Sequence, residues 1–124
     1  MLLIDAANVV GSRPTGWWRD RPGAALDLVV KIENAVAQGA LQQPVVVVLE
    51  GQARKGVEEG DRGGIKVIHA PGSGDDKIAE LVANSSEPIT LVTADRGLRS
   101  RTAGETVHIV GPSWLLDRLA FKAD

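Results

Sequence analysis

The run Val45-Val46-Val47-Val48-Leu49, entered from Pro44, constrains this chain more than any other segment. Four consecutive β-branched residues and a leucine favour a strand, and the lack of any alternating polar residue requires both of its faces to be covered. Strands of that kind belong to sheets flanked by helices. Leu2–Ile4, Ile65–Ile68, Ile89–Val92 and Val107–Val110 are further short aliphatic runs, giving five strands in all. Only 3% of the residues are aromatic (Trp17, Trp18, Trp114 and Phe121), so the core they build is aliphatic.

The intervening segments carry helical spacing. From about Gly23 to Gln38, Ala25, Leu28, Val29, Ile32 and Val36 fall on one stripe, punctuated by Pro22 and Gly39. A Pro71–Gly74 turn leads into a helix carrying Ile78, Leu81 and Val82. A short, arginine-bearing helical link is expected between the fourth and fifth strands. Pro112 opens a last helix through about Phe121, with Leu115, Leu116, Leu119 and Ala120 as its buried side. Gly11–Pro22 reads as a loop, and Gly51–Gly64 as a solvated connection with at most one helical turn. The expected fold is a single α/β domain over residues 1–124, with a mostly parallel five-stranded sheet and helices on both faces. Right-handed crossovers make 3-2-1-4-5 the economical strand order.

In such a sheet, ligands bind beyond the carboxyl ends of the strands, near the switch between strands 1 and 4. Asp5 closes strand 1, Glu50 follows strand 2, Asp75 and Asp76 open the helix after strand 3, and Asp95 follows strand 4. Carboxylates gathered at one edge repel one another unless a cation neutralises them or some stay protonated. Mg²⁺ and Mn²⁺ prefer such oxygen ligands and retain waters, which suits phosphate chemistry. Each residue also has a purely local explanation. Asp95 can cap the segment behind it, Ser73 and Asp76 fit an S-x-x-D capping pattern, and Asp75 suits a helix N-terminus. Asp5 is the exception, because a carboxylate ending a central strand is costly to bury without a partner.

Several chemistries are excluded. The chain has no cysteine, which removes disulfides, thiolate metal sites and thiol nucleophiles. Ala6–Gly11 lacks G-x-G-x-x-G, Val57 stands where a phosphate-binding loop after Gly51–Gly56 needs lysine, and no G-x-S-x-G occurs. His69 and His108 lie outside metal-ligand spacing. No apolar run is long enough for a bilayer, and Asp5 interrupts the apolar start, so neither a membrane nor a secretory signal is expected and the cytoplasm is the expected location. The formal charge of −2, from 14 basic and 16 acidic residues, excludes nucleic-acid binding by bulk charge and leaves it to local patches.

Three segments together resemble a known signature: Ile4-Asp5-Ala6-Ala7-Asn8-Val9, Gly74-Asp75-Asp76-Lys77-Ile78 and Val92-Thr93-Ala94-Asp95-Arg96-Gly97. They are similar to those of NYN domains, in particular the YacP-like branch, within the PIN-like superfamily of metal-dependent ribonucleases. The resemblance implies a Rossmann-like fold and Mg²⁺- or Mn²⁺-dependent hydrolysis of RNA. By position it makes Asp5 the central metal ligand, Asp75 the helix carboxylate with Asp76 assisting or substituting, and Asp95 the residue completing the cluster. Asn8 would orient the site and Thr93 would hydrogen-bond from behind. The family usually has Gly where this chain has Ala6 (a D-G-x-N pattern), which leaves the carboxylate in place. It offers no role for Glu50.

RNA would then meet a basic rim: Arg13, Arg19 and Arg21 after strand 1, and Arg96, Arg99 and Arg101 after strand 4. One of the paired tryptophans is expected to pack on the sheet and the other, Trp18, to stack on bases. Lys77, Arg54 and Lys55 read as solvated. A homodimer stays open. The competing readings are a non-catalytic RNA-binding or scaffold module on the same fold and, less well matched, a phosphoacceptor domain.

Overall fold

The computed structural model describes residues 1–120. Its sheet has six strands: β1 (Leu2–Asp5), β2 (Val45–Leu49), β3 (Gly60–Arg62), β4 (Ile65–His69), β5 (Ile89–Val92) and β6 (Val107–Val110). The order is β3-β4-β2-β1-β5-β6, parallel throughout except for β3. The five aliphatic runs therefore take the expected relative order, and the expected count of five is corrected to six. The extra strand is a short edge hairpin: β3 runs antiparallel to β4, turning at Gly63 and Gly64, both at positive φ. It has three residues, two of them charged, and so carries no apolar alternation. What fixes it is the Gly-Gly turn, together with Arg62 Nε donating to Glu33 on the neighbouring helix at 2.6 Å.

Helices α1 (Ala6–Gly11), α2 (Arg21–Ala37), α3 (Gly74–Ala83), α4 (Arg96–Thr102) and α5 (Pro112–Leu119) cover both faces. Successive strand residues point to opposite sides, and β1 divides its side chains accordingly. Leu2 and Ile4 join a core with Leu28, Val29 and Ile32 of α2 and Leu115 of α5. Leu3 faces the other way, with Val46, Val48, Leu91, Ile78 of α3 and Leu98 of α4. The α2 stripe is as expected except that Ala35 is buried and Val36 only half so.

The loop expected after strand 1 is shorter than the spacing suggested. Ala6 continues directly into α1, a helix of under two turns with no side-chain cap, held by the buried Ala6 and Val9. A 3-10 turn at Trp17–Arg19 precedes α2, which begins at Arg21, with Asp20 accepting from the Gly23 amide at 2.9 Å. The last helix ends at Leu119. Ala120 is exposed instead of buried, and Phe121 lies outside the described residues. Among the described residues no helix is long and apolar enough to cross a membrane.

Candidate functional site

β1 lies between β2 and β5, so its carboxyl end sits mid-sheet with other strand ends on either side. Asp5 is the last residue of that strand and is 4% exposed. Its Oδ2 accepts a 3.0 Å hydrogen bond from the Thr93 hydroxyl just past β5. The same hydroxyl oxygen accepts from the Asp95 amide at 3.1 Å. Thr93 thereby links the central carboxylate to the start of α4, and Asp95 Oδ1 caps that helix by accepting from Leu98 N–H at 2.8 Å. Asn8 braces the same corner, its Oδ1 accepting from the Ala94 amide at 2.8 Å.

The opposite wall is built from β2 and α3. Ser73 caps α3, accepting from the Asp75 and Asp76 amides. Glu50 Oε2 accepts from the Gly74 amide at 3.0 Å, pinning the start of α3 to the end of β2. Gly74 is buried, and a Cβ there would stand 3.0 Å from Glu50 Oε1, so glycine allows the close approach. This is the role that strand-end position alone could not assign to Glu50. Its partner lies 24 residues away and is a backbone group.

Asp5, Glu50, Asp75 and Asp95 all line one cavity of about 270 Å³, with Asn8 and Ser73 completing its rim. Among the described residues, no lining side chain is cationic. Burial drives the Asp5 carboxyl up to about 6, against the Thr93 hydroxyl and the nearby Asn8 amide, with Asp75 and Glu50 adding to the rise. Asp75 is also raised, first by burial, then by the charges of Asp95 and Glu50, while Arg101 opposes. A cavity where neighbouring carboxylate charges push Asp5 and Asp75 toward their neutral forms is a place where a cation is stabilised.

The donor chemistry fits a hard divalent ion. Among the described residues, however, no three acidic or histidine side chains are positioned to enclose a metal together. The expected trio of Asp5, Asp75 and Asp95 faces one cavity without converging on a point. That arrangement matches the usual habit of Mg²⁺, which takes one or two carboxylates and keeps several waters.

Asp76 does not line this cavity. It is exposed and pairs with Arg101 of α4 at 3.0 Å, joining α3 to α4. Arg96 and Arg99 lie exposed on α4, whose first turn borders the site. Arg13, Arg19 and Arg21 are exposed beyond α1. The Arg21 guanidinium lies 5.4 Å from the Trp17 ring centre, and Arg19 lies 5.9 Å from that of Trp18. Trp17 is half-buried and Trp18 is 53% exposed. Arg54 is exposed, as expected, and also donates to the Gly51 and Ala70 carbonyls. Lys77 approaches Glu80 at 3.6 Å. His69 Nε2 lies 2.7 Å from the Val57 carbonyl, a structural contact.

Replacing Thr93 by Val keeps the shape but removes the Asp5 hydrogen bond and strands the Asp95 amide, at a cost of about 1–3 kcal/mol. Because the hydroxyl favours the ionised form, the Asp5 carboxyl in the metal-free variant should titrate above its parent value. Carboxyl ¹³C shifts across a pH series check this.

These features define a Rossmann-like α/β fold with an acidic cavity at the carboxyl ends of its central strands. The fold is similar to the crystal structure of Rae1 (YacP) from Bacillus subtilis, with a TM-score of 0.69 over 96% of this chain and 72% of that one, at 20% identity. A single-substitution variant of that protein gives 0.67 over 95% and 73%, also at 20% identity. No family model and no curated protein matches the chain.

Proposed function

We propose that this chain is a metal-dependent ribonuclease acting through the cavity of Asp5, Asp75 and Asp95, with Mg²⁺ or Mn²⁺ as its cofactor. The observation carrying this reading is the buried Asp5 at the centre of the sheet, sharing its cavity with three further carboxylates and, among the described residues, with no cation. Its support also includes the NYN-like motifs and a fold similar to that of Rae1 (YacP).

When bound at these residues, a divalent ion would supply charge neutralisation at the phosphate and a more acidic water as nucleophile. Asp5, Asp75 and Asp95 would hold it, one or two of them directly and the rest through bound water. Thr93 keeps Asp5 oriented, Asn8 fixes the neighbouring loop, and Glu50 sets where α3 presents Asp75. Asp76 acts one step back, through its ion pair with Arg101. The phosphate backbone is held by Arg96 and Arg99 on one side and Arg13, Arg19 and Arg21 on the other, and Trp18 offers an exposed ring to a base. Replacing Arg96 and Arg99 with Gln should weaken RNA binding and flatten its dependence on log salt by up to about 1.4, at about 0.7 per lost phosphate contact on a single strand. Anisotropy titrations over a salt series measure that slope.

The test is cleavage of single-stranded RNA with Mn²⁺ or Mg²⁺ against EDTA. Metal-dependent product formation supports the proposal, and its absence with both ions refutes it. A second reading, an RNA-binding module without catalysis, is favoured by the dispersed carboxylates. It predicts salt-sensitive binding through the arginines, no cleavage, and no loss of binding on Asp95→Asn.

A further inference from the structure

A second cavity, of about 250 Å³, opens beside the acidic one and shares Ala7 and Glu50 with it. It lies between α1 and the 3-10 turn at Gly51–Lys55, under the start of α2. Its space arises because the facing residues are small: Ala6 and Ala7 on α1, Ala25 on α2, and Gly51 and Ala53 on the turn. Trp17 and Arg21 form one side. Trp17 is half-buried, lies beside Gly11 and meets the Trp18 ring edge-on at 6.1 Å between centres.

We propose that this cavity receives one unpaired nucleobase of the RNA, with Trp17 and Arg21 as its planar wall. The inference rests on the ribonuclease reading for its occupant, and four observations select a base. The lining is mainly apolar, unlike a phosphate site. The volume is below the ~300–1,000 Å³ of pockets for drug-sized ligands, so it suits a single small ring system. An indole and a guanidinium are the groups on which bases stack. Finally, the shared Ala7–Glu50 boundary sets the base next to the place where its own phosphodiester would be cut. A base can enter only when unstacked, so the pocket selects single-stranded or looped RNA. Trp17, half-buried beside the site, thus reads the base, and the more exposed Trp18 is not required for it.

The test is binding, measured in EDTA so that it does not depend on cleavage. The probes are a fluorescein-labelled single-stranded RNA and a series in which each nucleotide in turn is made abasic. Removal of one particular base should weaken wild-type binding about tenfold, the scale of one base–aromatic stack, while removal of most others has little effect. Trp17→Leu should bind the whole series alike, Trp17→Phe should restore the preference, and Ala53→Leu, which fills the cavity from its rim without removing a packed group, should abolish it. A wild-type protein indifferent to every abasic position would overturn the proposal. So would variants Trp17→Leu and Ala53→Leu that discriminate as the parent does. Discrimination without metal-dependent cleavage would sustain the base pocket and refute the nuclease; cleavage without discrimination would do the reverse.

Discussion

Asp5→Asn should abolish RNA cleavage, by at least about a hundredfold given the usual size of losses at charge-stabilising groups, and yet yield a more stable protein at neutral pH. The two effects share one cause. Asp5 is buried with its carboxyl raised to about 6, from an ordinary value of 3.8. The folded state therefore holds this proton more tightly than the unfolded chain. Its contribution to stability is greatest below the unfolded value, near pH 4, and is lost as pH rises through about 6. Above that, the ionised group is a burden of up to about 3 kcal/mol, at 1.36 kcal/mol per pH unit. Asparagine keeps an oxygen to accept from Thr93 and carries no charge. In metal-free buffer, thermal denaturation should place the variant several degrees above the parent at pH 7.5, with the gap closing near pH 4. A variant less stable than the parent at pH 7.5 would show that the carboxylate is satisfied by the protein alone, with no need for a cation.

The second large effect concerns the scaffold beside the site. Gly56 ends the 3-10 turn and lies against the backbone of Pro22 at the start of α2. A Cβ there would collide with the Pro22 carbonyl oxygen and stand 2.7 Å from its carbon. Neither neighbour can rotate away, since both are main chain. Gly56→Ala should cost at least about 2 kcal/mol, at the upper range for overpacking. Urea unfolding checks this as a lower midpoint with an unchanged slope. Gly72→Ala, at a position with open space around it, is the control and should fall within about 0.5 kcal/mol of the parent.

The parallel core was legible because burial leaves short runs rich in aliphatic residues, unbroken in β1 and β2 and interrupted only by Lys66, Thr90 and His108 in the others, and each such run became a strand. Elements held by other means were not. β3 depends on a Gly-Gly turn and an ion pair to α2, and α1 is too short and uncapped to impose a period. The site divides in the same way. Asp5 stood out because a carboxylate ending a central strand has no cheap structural explanation. The resemblance put Asp75 before Asp76 without a geometric reason; neighbouring helix positions point about 100° apart, so one faces the cavity and the other Arg101. Asp95 fills both readings given for it, capping α4 with one oxygen while lining the cavity. Glu50 and Trp17 became interpretable only once distant segments met: Gly74 for the first, α1 and the Gly51–Lys55 turn for the second.

An acidic cavity built for a divalent cation should take up Mn²⁺, which isothermal titration calorimetry at pH 7.5 measures. The wild-type protein should bind Mn²⁺ saturably, and Asp5→Asn should lose that binding. No saturable binding, or the same isotherm from both proteins, would contradict a cation site at Asp5.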